Sequence, residues 1–139
     1  MPRKRQPSLD HLGIAVRSLD DSLRFYGDRL GLQVSLRQAV PLEKVNVAML
    51  AIEGSRIELL EPTEQDSVIG KFLARRGEGI HHVAIRVADL SATVERLKQN
   101  GVRVLNEPRS GAGGHLYVFV HPSSTGGVLI ELIQDDAYH

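Results

Sequence analysis

An internal duplication constrains this chain more than any other feature. Leu9-Asp10-His11-Leu12-Gly13-Ile14-Ala15-Val16 recurs as Ile80-His81-His82-Val83-Ala84-Ile85-Arg86-Val87, and an offset of 71 residues lays His11 on His82. The same offset carries Leu12, Ile14, Val16, Leu19 and Leu23 onto Val83, Ile85, Val87, Leu90 and Val94. Apolar positions two apart, then three or four apart, describe a strand running into an amphipathic helix. The repeated piece is therefore a supersecondary module, and in 139 residues two such modules have to share one core.

In the first module Leu12, Ile14 and Val16 fall on one face of a strand over 10–16, and His11, Gly13 and Ala15 fall on the other. Ser18 or Asp20 can cap a helix in which Leu19, Leu23, Tyr26 and Leu30 recur, with Gly31 as a left-handed stop. Strands follow at 32–37, 45–50 and 56–60, the last two joined through Glu53-Gly54-Ser55. Pro62 then opens a connector, 62–78, whose Val68, Ile69, Phe72 and Leu73 predict a short amphipathic helix. The second module has a strand over 80–87 and a helix carrying Leu90, Val94 and Leu97 that stops at Asn100-Gly101. Strands at 102–105, 116–121 and 128–133 complete it, with a glycine-rich loop from Pro108 to Gly114. Each module reads βαβββ, and the pattern predicts an α+β fold: one curved mixed sheet with the module helices outside. The expected boundaries are a basic tail 1–8, module one 9–61, module two 79–134 and a tail 135–139.

The duplication reaches the far end of each module, where Ile57-Glu58-Leu59-Leu60 matches Ile130-Glu131-Leu132-Ile133. A lone strand histidine is ordinarily structural, and a glutamate inside an apolar strand is costly unless partnered. A histidine on the first strand and a glutamate on the last strand of both copies points instead to a site. If an approximate two-fold axis relates the modules, His11, Glu58, His82 and Glu131 converge on an inner face. Two imidazoles and two carboxylates suit a divalent transition metal such as Co, Mn, Ni, Fe(II) or Zn. His81 alternates to the opposite face from His82, His115 and His121 flank a strand as surface hydrogen-bonding groups, and the glycine loop serves as a lid.

Composition narrows the function classes. Lys plus Arg and Asp plus Glu are both 17, so there is no nucleic-acid-sized basic surface. The chain has no cysteine, which excludes disulfides, thiolate metal sites and a cysteine nucleophile. No apolar run approaches a membrane span, and a cytoplasmic protein is expected.

The stretches LDHLGIAVRSLDDSLRFY at 9–26, RIELLEPTEQDSVIGKFLARRGEGIHHVAIRV at 56–87 and FVHPSSTGGVLIEL at 119–132 resemble the vicinal oxygen chelate superfamily, and within it the methylmalonyl-CoA epimerases. The resemblance runs over residues 9–134. It implies a metal on His11, His82 and Glu131, with Glu58 at a fourth position that some members fill with glutamine. It further implies a small-molecule acyl-CoA substrate, racemisation at C2 and a homodimer. Val47 stands where some members carry a glutamate, and His115 and Ser123 stand where lysines are common.

The chemistry that fits these residues is removal of an acidic C2 proton with a metal stabilising the enolate. Glu131 is the first choice of base, and Glu58, a water it orients, or Glu43 on the Pro41-Leu42-Glu43-Lys44 loop serves the opposite face. Two alternatives stand beside this. One is another vicinal-chelate enzyme, a glyoxalase-like isomerase or an Fe(II) extradiol dioxygenase, and the other is a metal-free small-molecule-binding protein.

Overall fold

Strand alternation decides most of the architecture. The computed structural model describes residues 7–111 and 114–136. The basic residues Arg3, Lys4 and Arg5, the Ala112-Gly113 centre of the proposed lid and residues 137–139 of the C-terminal tail lie outside the described residues. The chain divides into two compact units, His11–His81 on one hand and His82–His139 with Met1–Asp10 on the other.

The first unit contains β1 (Ser8–Ala15) from His11 onward, α1 (Leu19–Leu23), β2 (Val34–Val40), β3 (Val45–Ile52), β4 (Ser55–Pro62) and α2 (Val68–Arg76). Its strands lie in the order β2-β3-β4-β1. β1 runs parallel to β4, with Gly13 opposite Glu58, and the two hairpins are antiparallel. Ile52 pairs with Ser55, so the β3–β4 turn is the two residues Glu53-Gly54. Val16, Leu19, Ala48, Leu50 and Leu59 pack together with Ile14, Leu23 and Tyr26 on the α1 side. The connector helix takes the other side: Ile69 and Leu73 of α2 are buried with Ala15, Val45, Val47, Met49 and Leu60, on the face that also carries His11 and Glu58.

One local detail departs from the sequence pattern, and another decides between two caps it offered. Ser18, rather than Asp20, caps α1, its Oγ accepting from Asp21 N–H at 3.1 Å. After Leu23 the helix widens into a π-helical turn over Arg24–Arg29, with Leu30 N–H donating to Phe25 O at 2.8 Å. The extra residue per turn rotates Leu30 out of the apolar stripe and leaves it exposed, although the helical spacing predicted it would be buried.

The second unit contains β5 (Gly79–Val87) from His82 onward, α3 (Leu90–Gln99), β6 (Arg109–Ser110), β7 (Leu116–Val120) and β8 (Ile130–Gln134), in the order β5-β8-β7-β6. β5 is parallel to β8, and β7 is antiparallel to both β8 and β6. Asp89 caps α3 by accepting from Ala92 N–H, as Ser18 caps α1. Val87, Leu90, Val94, Val118, Val120 and Leu132 form the core under α3. The strand predicted at 102–105 is reduced to one bridge, Val104 to Val120. Asn106 ends it: its side chain accepts from Phe119 N–H at 2.8 Å and donates to Tyr117 O at 3.2 Å. A side-chain amide there takes the groups a backbone ladder would use.

Each module also ties its last strand to its helix in the same way. Glu61 Oε2 accepts from Leu19 N–H at 2.8 Å, and Gln134 Oε1 accepts from Leu90 N–H at 2.9 Å. Both satisfy an orphan donor in the first turn of a helix. Among the described residues no helix is long and apolar enough to cross a membrane.

The start of α2 has no room for a side chain at Gly70, where a Cβ would sit 2.6 Å from Gln65 O and 2.7 Å from Glu64 O. Gly70→Ala is therefore expected to lower stability by about 1–3 kcal/mol in urea unfolding. Gly79→Ala, whose Cβ would meet nothing within 4 Å, serves as the control and should stay within about 0.5 kcal/mol of the parent.

Candidate functional site

The two histidines at the heads of the repeated strands are each buried beside a glutamate of their own unit. In the first unit His11 Nε2 lies 3.3 Å from Glu58 Oε1, with His11 4% and Glu58 7% exposed. In the second, His82 Nε2 lies 3.2 Å from Glu131 Oε1, with His82 5% exposed. The local construction is the same in both. The residue two beyond each histidine, Gly13 or Ala84, aligns with the glutamate across a parallel strand pair. Its small or absent side chain leaves the gap through which imidazole and carboxylate meet.

Burying an ionisable pair in apolar strands is expensive, several kcal/mol per charged group before compensation. That cost is accepted twice, at equivalent places. The donor set is one imidazole nitrogen and one carboxylate oxygen per unit, the borderline ligands of divalent transition metals. The separations fit as well. Two donors about 2.1 Å from one ion, at the angles of octahedral or tetrahedral coordination, stand about 2.9–3.4 Å apart. The residues present therefore suit a metal chemically.

The surroundings fix the pairs in place. Phe119 stands directly across from Glu131 in the antiparallel β7–β8 pair, and its ring meets the His82 ring edge-on at 5.8 Å. Met49 holds the corresponding place opposite Glu58. Arg86 of β5 donates from Nη2 to Leu9 O at 3.1 Å, and its Nε lies 3.4 Å from the buried Asp10 carboxylate. These contacts hold the residues just before His11.

The other sequence candidates occupy different places. His81 packs edge-on against Phe72 at 5.1 Å. His115 pairs with Asp136 at 2.7 Å, and His121 Nδ1 accepts from Ser123 N–H at 2.9 Å, capping the 3-10 turn Pro122–Ser124. Glu43 is exposed on a 3-10 turn, Pro41–Glu43, beyond the Val45–Pro62 end of the sheet. Four residue steps, roughly 13 Å of strand, separate that end from the Glu58–Met49 pairing, so the fold does not bring Glu43 to His11. Next to it Lys44 hydrogen-bonds Glu64 and Asp66, which raises the Lys44 pKa above its ordinary value and lowers that of Asp66.

Sequence reasoning passed over the Arg86–Asp10 pair, Phe119, and the two capping residues Glu61 and Gln134. The capping residues did carry a signal, because both lie three residues beyond the repeated glutamates. Phe119 carried none, because its place opposite Glu131 depends on strand register.

Comparison with known proteins follows the same lines. Residues 10–119 match the Glyoxalase/Bleomycin resistance protein/Dioxygenase superfamily. The chain is 41% identical over 128 residues to mitochondrial methylmalonyl-CoA epimerase of Mus musculus, covering 91% of this chain and 72% of that one. It is 39% identical over 129 residues to the ethylmalonyl-CoA/methylmalonyl-CoA epimerase of Cereibacter sphaeroides, covering 91% and 96%. A variant of Streptomyces coelicolor methylmalonyl-CoA epimerase, solved in complex with 2-nitronate-propionyl-CoA, superposes with a TM-score of 0.88 at 40% identity, over 94% of this chain and 96% of that one.

The alignment of Ala84 with Glu131 makes a direct prediction. Ala84 is wholly buried, so Ala84→Leu should part His82 from Glu131 and overpack the strand pair. The expected loss of stability is about 1–3 kcal/mol, read by urea unfolding.

Proposed function

The chain belongs to the methylmalonyl-CoA epimerase family of the glyoxalase/bleomycin-resistance/dioxygenase superfamily, and on that premise we propose that it interconverts the C2 epimers of methylmalonyl-CoA. In this reading the chain holds a divalent cation. His11, His82 and Glu131 each offer a ligand atom, and Glu58 is the fourth position. The observation that carries the reading is the duplicated buried His–Glu pair. A relative captured with a nitronate-bearing propionyl-CoA supports it, since a nitronate is planar and anionic, as an enolate is.

The C2 proton of a methylmalonyl thioester lies between a thioester carbonyl and a carboxylate, so its removal leaves a delocalised anion. When bound, the cation supplies Lewis-acid stabilisation of that anion's oxygen. The protein groups do the rest. Glu131, held within 3.2 Å of His82, removes the proton from one face. Glu58, or a water it orients, returns a proton on the other face, and the alternative base Glu43 is set aside because of its place at the hairpin end. Burial of His11, Glu58 and His82, with Glu131 largely covered, limits water around the anion and strengthens each electrostatic contact. A positioned general base contributes about 10²–10⁴-fold. Enzymes typically reach 10⁶-fold or more, so several kcal/mol has to come from stabilising the anion.

Solvent deuterium uptake at C2 tests the proposal. With Co(II), Mn(II), Ni(II) or Zn(II) supplied, the protein should exchange the C2 proton and invert the centre, and Glu131→Gln should slow exchange by about 10²-fold or more. Glu58→Gln should still exchange one epimer through Glu131 while inversion slows. Absence of exchange with every supplied metal would sink the epimerase reading.

Metal dependence has its own measurement. At a free metal concentration one hundred times its Kd, stability should rise by about 2.7 kcal/mol relative to chelator-treated protein. Identical melting with chelator and with metal would instead favour a metal-free binding protein.

A further inference from the structure

The geometry points to Phe119 as the residue that sets the size of the substituent carried on C2. This inference rests on the reading of Glu131 as a base. On the sheet face that carries His82 and Glu131, the glutamate has Ala84 beside it on β5 and Phe119 beside it on β7, with Ile133 two residues along β8. Those residues and Tyr117 form one cluster in which Ala84, Tyr117 and Ile133 are buried and Phe119 is only partly so. Phe119 is thus the member of the patch with surface left to meet a ligand.

A C2 carbon within reach of the Glu131 carboxylate carries four groups. The hydrogen faces Glu131. The thioester and carboxylate oxygens require polar or cationic partners, which a cation held on the His–Glu side would provide and the apolar cluster does not. The alkyl group is left with the cluster, against the exposed part of the Phe119 ring.

That ring is backed by its neighbours. Tyr117 meets it edge-on at 5.6 Å with planes 79° apart. Gly111 closes on Tyr117 from behind, where a Cβ would come within 2.9 Å of the Tyr117 ring. The Arg109 guanidinium lies 5.8 Å from the Tyr117 centroid. Phe119 therefore works as a wall, bounded on its other side by the His82 ring at 5.8 Å, and a longer alkyl chain meets it end-on. The structure assigns no such wall to the equivalent place in the first unit, where flexible Met49 faces Glu58. The chemistry selected is a malonyl thioester with a short C2 alkyl group.

The test compares kcat/KM for C2 deuterium uptake with methylmalonyl-, ethylmalonyl- and butylmalonyl-CoA, using metal-loaded parent, Phe119→Leu and Phe119→Ala. Each methylene a pocket must accept or refuse is worth roughly 10–200-fold in kcat/KM. The butyl-to-methyl ratio should therefore rise at least about 10-fold in Phe119→Ala, with Phe119→Leu between it and the parent. Thermal melting confirms that each variant is folded, and Phe119→Leu carries the comparison if the alanine variant does not fold. An unchanged ratio in folded variants overturns the assignment while leaving the epimerase reading intact. A parent protein that exchanges none of the three thioesters overturns both.

Discussion

The structure depends on keeping imidazole and carboxylate together inside apolar strands. Each group buried alone would cost several kcal/mol, and the pairings His11–Glu58 and His82–Glu131 at 3.3 and 3.2 Å offset that cost. The pairing in turn dictates its neighbours. Parallel register places Gly13 and Ala84 across from the glutamates, and a larger side chain at either position would push carboxylate from imidazole. A parallel pair cannot be joined by a tight turn. The intervening chain in each unit accordingly includes a helix and a hairpin, and Glu61 and Gln134 fasten the last strand to that helix at Leu19 and Leu90.

The two copies are alike in their polar groups and differ in what surrounds them. In the first unit the face bearing His11 and Glu58 also packs α2 through Ile69 and Leu73. In the second unit the cluster on the corresponding face consists, among the described residues, of Ala84, Tyr117 and Ile133 with a partly open Phe119. The imidazole and carboxylate occur twice, and the apolar side chain across from the glutamate differs, Met49 in the first unit and Phe119 in the second.

Much of this was legible in the residues because the period of a strand and that of a helix are geometrically distinct. Leu12, Ile14 and Val16 announced a strand with His11 on its other face, and the recurrence at 82–87 and again at Glu58 and Glu131 announced a module and the His–Glu pairing repeated in it. The failures have local causes. Leu30 fits a 3.6-residue period, and a π-helical turn shifted that period. Val102-Arg103-Val104-Leu105 alternates as a strand should, and the Asn106 side chain took over the hydrogen bonds that would have extended it.

The sequence by itself determined the duplicated module, the strands that carry the histidines and glutamates, and the donor types those residues offer, because all of these follow from periodicity and side-chain chemistry. Tertiary structure alone decided which small residue lies beside each glutamate, which face α2 covers, and that Phe119 stands over Glu131 against the His82 ring. These depend on register between strands distant in the chain, and a shift of one residue would turn every side chain to the opposite face.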